Sequence, residues 1–318
     1  MSGLEPLQAR QLTDAILGEV GKVIIGKRSE IKMIIAALLA EGHILLEGVP
    51  GVAKTTLAKA VATALGLKFS RIQFTPDLLP SDVLGTFVLN QKTGDFEFRP
   101  GPIFANIVLA DEINRAGPRT QSAFLEAMQE RQVTLEGRVF KLEKPFMVIA
   151  TMNPIEMEGV YPLPEAQVDR FLVKILLDYP DYAEEVEILR KSDYIEEWPV
   201  KPVAGRDQVL WMIDESKKVY VDESIARYIV DLVRATRSDP RVRLGASPRA
   251  AIGILRLSRA MAFLEGRTYV IPDDVKKVFK PALRHRILLK HTASQDLVEE
   301  LLENILSKTP SPSPPARP

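Results

Sequence analysis

Residues 43–56 read His43-Ile-Leu-Leu-Glu-Gly48-Val49-Pro50-Gly51-Val52-Ala53-Lys54-Thr55-Thr56: an apolar run, a glycine-bearing turn and the opening of a helical stretch that continues to Leu65. Strand, glycine loop, Lys-Thr and helix in that order make a phosphate-binding loop. Backbone N–H groups of the loop and of the helix N-terminus converge on one point and favour an anion there. In this reading residues 48–56 cradle the phosphates, Lys54 reaches the β- and γ-phosphates and the Thr55 hydroxyl binds Mg²⁺. A glycine is expected immediately before the lysine, and the chain has Ala53. Alanine tolerates a helical start, so the loop then demands a negative φ at residue 53. An ordinary glycine turn before a helix is the alternative, and Lys-Thr in this setting argues against it.

Outward from this stretch, short β-rich apolar runs alternate with helical segments. The runs are His43–Leu46, Phe69–Phe74, Asn106–Ala110, Phe146–Thr151 and Phe171–Leu177. Four of the five hold few polar residues, as parallel strands buried on both faces do. The alternation predicts an α/β fold with a parallel sheet. Two segments break it. Thr86–Asn90 and Phe96–Arg99 flank Gln91–Asp95, and alternating residues 132–142 surround Glu136-Gly137-Arg138; both predict β-hairpins inserted between core elements. They are surface decoration or a pair of loops that touch substrate or neighbours.

After Pro180 the pattern becomes helical. Ile225, Tyr228, Ile229, Leu232 and Val233 form one apolar stripe over Asp222–Arg237. Helices are also predicted over Ser247–Leu264 and over Asp273–Leu289, the latter opened by Pro272-Asp273-Asp274. The expected organisation is an α/β unit over residues 1–180, a smaller all-α lid over 181–308, and a Pro/Ser-rich tail over 309–318 too poor in apolar groups to fold. A ligand between sheet and lid is the expected arrangement.

Composition narrows the chemistry. The 318 residues include no cysteine, which excludes disulfides, thiolate metal sites and cysteine nucleophiles. The 42 basic residues balance 42 acidic ones, so nucleic acid is a disfavoured partner, although a local basic stripe fits inside a neutral total. The start, MSGLEPLQAR, lacks the pattern of a signal peptide, and the apolar run Met33–Ala40 is far too short to span a bilayer. A cytoplasmic protein without membrane contact is expected. His43, His285 and His291 are scattered without ligand spacing, and Arg284-His285-Arg286 reads as a solvated basic helix face.

Further chemistry clusters at strand ends. Ile107-Val-Leu-Ala-Asp111-Glu112 places two carboxylates where an α/β sheet binds ligands. Asp111 can hold Mg²⁺ through its water shell, and Glu112 can polarise an attacking water. Asn153, in Met152-Asn153-Pro154 after the next run, can orient that water or merely start a turn. Arg249 follows Ser247 as N-cap and Pro248 as first helical residue, where a cation opposes the helix dipole. A bound phosphate explains it better than helix stability does. Arg170, just before the fifth run, is a surface ion-pair partner or a ligand contact.

These motifs together resemble an AAA+ ATPase, and more closely the MoxR group. The likeness rests on GVPGVAKT at 48–55, RIQFTPDLLPSDVLG at 71–85, FRPGPIFANIVLADEINRA at 98–116, ATMNP at 150–154, LPEAQVDRF at 163–171 and GASPRA at 245–250. It implies an AAA+ P-loop domain with a helical lid, ATP and ADP as ligands with Mg²⁺, and ATP hydrolysis. Lys54 and Thr55 would be Walker A, Asp111 and Glu112 Walker B, Asn153 sensor 1, Arg170 the arginine finger of a neighbouring subunit's site and Arg249 sensor 2. The segment Val23-Ile24-Ile25-Gly26 is similar to the stretch that lines the adenine pocket. The hairpins resemble the helix-2 insert and the pre-sensor-1 hairpin. A hexameric ring, a chaperone-like role and a von Willebrand factor A-type partner, with help in metal-cofactor insertion, are further implications. Two other readings stay open: an AAA+ motor acting on DNA, and a nucleotide-gated scaffold with little turnover.

Overall fold

The computed structural model describes residues 4–49, 51–152, 161–290 and 294–312. Helices α1 (Leu4–Val20) and α2 (Arg28–Leu39) precede strand β1 (Ile44–Gly48), and α3 (Lys54–Ala64) leads to β2 (Phe69–Gln73). A short α4 (Pro80–Leu84) opens the first hairpin, β3 (Gly85–Leu89) and β4 (Phe96–Pro100). Strand β5 (Ile107–Asp111), a 3₁₀ turn (Ile113–Arg115) and α5 (Pro118–Glu130) follow. Next come the second hairpin, β6 (Gln132–Leu135) and β7 (Arg138–Lys141), then β8 (Met147–Met152), α6 (Glu165–Val168) and β9 (Val173–Leu177). The rest comprises α7 (Tyr182–Arg190), α8 (Ser192–Glu196), α9 (Arg206–Lys218), α10 (Glu223–Ser238), β10 (Val242–Leu244), α11 (Pro248–Leu264), α12 (Pro272–Leu283), β11 (Leu288–Leu289) and α13 (Gln295–Lys308).

Five strands form one parallel sheet in the order β2-β5-β8-β1-β9. Because side chains alternate across a strand, each central strand supplies two cores. Ile44, Leu46, Ile107, Leu109, Met147 and Ile149 face one apolar cluster, which runs on through α1–α3 into α9–α13. Leu45, Val108, Ala110, Val148 and Ala150 face the other, built with α5 and the base of the second hairpin. The inner strand β5 is buried throughout, whereas β2, with Ser70, Arg71 and Gln73, forms the half-exposed edge.

Both hairpins form antiparallel pairs where the pattern places them. They meet through aromatic rings: Phe98 stacks on Phe140 at 3.9 Å between centroids. The stripe of α10 is buried at all five expected positions. The second half is helical with one addition, a two-stranded ribbon of β10 and β11.

That ribbon corrects the helix expected to reach Leu289, since α12 stops at Leu283. The Arg286 N–H turns to Leu283 O, and the Arg286 guanidinium donates to the free Ala282 carbonyl at 2.9 Å, closing the helix end. The Arg284–Arg286 triplet is therefore an inward-turned helix terminus rather than a solvated face; Arg286 is 8% exposed. Residues 313–318 of the tail lie outside the described residues.

Candidate nucleotide site

The carboxyl ends of β1, β5 and β8 lie side by side, with β8 in the middle. The loop after β1 carries Gly48 to Lys54. A Cβ on Gly48 would lie 2.6 Å from Leu177 O, so the close approach of β9 requires glycine there. Gly51 has φ +87°, a left-handed turn that returns the chain towards α3. Pro50 lies outside the described residues, while Val49 and Val52 flank the turn. Thr55 and Thr56 form the first turn of α3. The Lys54 ammonium folds back over its loop and donates to Gly48 O at 2.6 Å.

Ala53 corrects the expectation of negative φ. It adopts φ +58° and ψ +31° as the N-cap of α3. A left-handed alanine is about 1–2 kcal/mol less favourable than a right-handed one. The physical reason is the loop: the residue before the lysine must turn the backbone into the helix, which is why glycine is usual there, and alanine bears the strain.

The acidic pair sits at the end of β5. The Asp111 carboxylate accepts from Thr151 Oγ1 at 2.6 Å and from Arg71 NH2 at 2.6 Å. Glu112, at φ +56°, donates its N–H to Thr151 Oγ1 at 2.8 Å. Its carboxylate accepts from Gln73 Nε2 at 2.9 Å and pairs with Arg115 at 3.2 Å. The fully buried Thr151 hydroxyl thus ties both acidic residues to β8. Sequence reasoning missed Thr151, Arg71 and Gln73. One signal was present: Arg71 and Gln73, two apart on β2, must share a face and face the neighbouring strand end. Asn153, one residue beyond β8, lies outside the described residues.

The Val23–Gly26 turn joins α1 to α2, with Val23 and Ile24 buried, Ile25 half-buried and Gly26 exposed. The neighbouring Lys27 lies 3.9 Å from Glu184 of α7, which follows closely on the carboxyl end of β9.

The two arginines lie elsewhere. Arg170 and Arg249 line one cleft of about 420 Å³ with Arg131, Arg256, Arg286 and His43. The cleft is bounded by Ala40–His43, ahead of β1, and by Arg170 and Leu172, ahead of β9. It therefore opens at the amino end of the sheet. A five-residue strand separates it from the Lys54 loop, roughly 16 Å at ~3.3 Å per residue. α11 packs Gly253 against Leu172, which carries Arg249 to the amino end, so the chain does not bring Arg249 to its own Lys54. Ser247 occupies the N-cap position without a side-chain capping bond. Neither Arg170 nor Arg249 has a hydrogen-bond or ion-pair partner among the described residues, and nor does Arg256. His43 is neutral: burial, then the Arg131 charge, pushes its pKa down to about 3, and Nδ1 accepts from Val148 N–H at 3.0 Å.

A parallel sheet with a glycine-Lys-Thr loop, a strand-end acidic pair and a helical lid defines a P-loop nucleotide-binding protein. A profile of the ATPase family associated with various cellular activities (AAA) matches residues 43–173, and one of the AAA lid domain matches residues 234–305. The chain is 43% identical to Chaperone MoxR1 of Mycobacterium tuberculosis over 96% of this chain and 84% of that protein. It is 48% identical to protein YeaC of Bacillus subtilis over 92% of each. The crystal structure of a candidate ATPase from Cytophaga hutchinsonii superposes with a TM-score of 0.90 at 43% identity, covering 98% of both chains. The chain belongs to the MoxR group of AAA+ ATPases. Among the described residues no helix is long and apolar enough to cross a membrane, and no three His, Asp or Glu side chains cluster as a metal site.

Proposed function

We propose that the chain hydrolyses ATP as an oligomeric ring, expected to be hexameric, and uses the cycle to remodel or mature a protein client. The observation that carries this is the separation of Arg170 and Arg249 from Lys54. Three guanidinium groups without a partner among the described residues line one cleft and favour a polyanion, and their own chain's phosphate loop is a strand's length away. A neighbouring chain's ATP answers both facts.

In this reading residues 1–180 form the ATP-binding unit and 181–308 its lid. The 48–56 loop and Lys54 hold the phosphates, and the 23–26 turn borders the base. Thr55 and Asp111 offer the hard oxygen donors that Mg²⁺ takes, and the metal when bound neutralises phosphate charge. Glu112 holds the attacking water and accepts its proton, and Asn153 orients that water. Gln73 and Arg115 hold the Glu112 carboxylate, which must exchange these partners for water before it acts. Arg170 and Arg249 enter from the neighbour and stabilise charge developing on the γ-phosphate, a contribution worth ~10³–10⁵ in rate in related NTPases.

A protein client is favoured by the hairpins. Their outer surface exposes Leu89, Phe96 and Val139, and Arg138 lies over the Phe87 ring rather than free for phosphate contacts. The MoxR1 name supports a chaperone role, and a von Willebrand factor A-type partner is the client class the family likeness suggests.

The test is subunit mixing. Arg170→Ala should lower steady-state ATP hydrolysis about 10³-fold, and Lys54→Ala should abolish it. Mixed together, the two should recover activity, because Arg170 of the second chain completes the intact loop of the first. Absence of recovery sinks action between chains.

A further inference from the structure

Arg170 is held by very little of its own. The preceding α6 has four residues, none of them buried, and the Arg170 side chain has no partner among the described residues. The backbone on both sides is instead held from the lid. Arg286 Nε lies 2.8 Å from Asp169 Oδ1. Its NH2 group donates to the carbonyls of Asp169 at 3.1 Å and Phe171 at 2.7 Å. His285 Nε2 donates to the same Phe171 carbonyl at 2.9 Å. Arg284 anchors the triplet in turn, its Nε 2.8 Å from Glu299 of α13.

This is costly chemistry for a helix end. Removing a guanidinium from water is unfavourable unless it is paired and fully bonded. Burial pushes the Arg286 pKa down and Asp169 opposes that shift, while the Arg249 charge adds to it. A buried cation set among other cations needs a reason beyond stability, which a packed apolar side chain could supply equally well. The rigid fork of Arg286 donates to three carbonyls, those of Ala282, Asp169 and Phe171, and pairs with a carboxylate at fixed spacing, which lysine cannot do.

We propose that Arg286 is a positioning residue for Arg170: through Asp169 and Phe171 O it fixes the backbone from which the finger projects, so that docking of the lid sets the finger's reach. The inference rests on the arginine-finger reading above. Displacements of about 1 Å cost about 10²-fold in rate when geometry is what catalyses.

The experiment compares Asp169→Asn, Arg286→Lys, the double variant and Arg170→Ala in the assembled full-length protein. Asp169→Asn and Arg286→Lys should each lower kcat about 10–100-fold, leaving KM and ATP affinity near wild type while the broken pair lowers Tm. The double variant should be no worse than the poorer single one, as for residues acting as one unit. Mixed with Lys54→Ala chains, Asp169→Asn chains should recover activity as Arg170→Ala chains do. The positioning role is overturned if Asp169→Asn keeps the wild-type rate, if the losses multiply in the double variant, or if kcat falls only together with ATP affinity. Should Arg286→Lys fail to fold, Asp169→Asn decides alone, because that side chain is only partly buried. If Arg170→Ala itself keeps the wild-type rate, the finger reading fails; if Arg170→Ala collapses while Asp169→Asn and Arg286→Lys do not, the clamp alone fails.

Discussion

The two ends of the parallel sheet are chemical opposites. At the carboxyl end Asp111 and Glu112 are bonded on several sides, by Thr151, Arg71, Gln73 and Arg115, and Lys54 lies on its own loop. At the amino end Arg170, Arg249 and Arg256 share a cleft without partners among the described residues. One end is closed by contacts within the chain; the other presents charge outward. A complete single-chain site would bring acid, lysine and arginine together. Their separation by the length of a strand is the arrangement that the proposed site between neighbouring chains requires.

Four changes test how far that contrast extends. At the closed end, Glu112→Gln should keep ATP affinity and lower turnover about 10²–10⁴-fold, the range for a lost general base; full turnover in a phosphate-release assay would remove Glu112 from that role. Thr151→Val should be milder. It strips the hydroxyl from Asp111 and from the Glu112 N–H, with a stability loss of about 1–3 kcal/mol by denaturant titration. Turnover should fall as well; an unchanged rate would mean that the bridge serves folding alone.

At the amino end, His43 supplies a pH dependence. Its folded pKa of about 3 lies below the unfolded value near 6.5, so the unfolded chain binds the extra proton first. Stability is full above pH 6.5 and falls with decreasing pH towards 3, by up to about 1.4 kcal/mol per pH unit. In His43→Asn, chemical denaturation at pH 5 and 6.5 should show this part of the slope removed; an unaltered slope would refute burial as its cause.

The smallest effect belongs to Ala53. Ala53→Gly relieves the left-handed strain but frees the unfolded chain, so stability should rise by at most about 1 kcal/mol. A fall in Tm would show that the methyl group packs favourably in the loop.

What could be read from the chain beforehand follows the range of the forces involved. The strands, the hairpins, the α10 stripe and the phosphate loop are local patterns of alternation, period and glycine placement, and they appear with boundaries shifted by a residue or two. The positive φ of Ala53 is not legible in the sequence, because propensity describes the residue and not the turn it must close. Thr151 passed unnoticed as one more β-branched residue in a buried strand; only the order β5-β8-β1 sets its hydroxyl between two acidic residues. Arg249 was rightly tied to a helix N-terminus, yet its position depends on α11 packing near Leu172, a contact between residues distant in sequence. The Arg284–Arg286 triplet looked like surface charge because nothing in its own segment announces Asp169.

The apolar cluster that continues from the sheet face through α1–α3 into α9–α13 has a mechanical consequence. Closely packed interiors resist compression and transmit strain. A lid rooted in the same core as the sheet offers no soft joint at which one chain could fold and unfold on itself. Continuous packing of this kind favours movement of the chain as one stiff block. In the ring proposed above, the compliant element would then be the seam between neighbouring blocks.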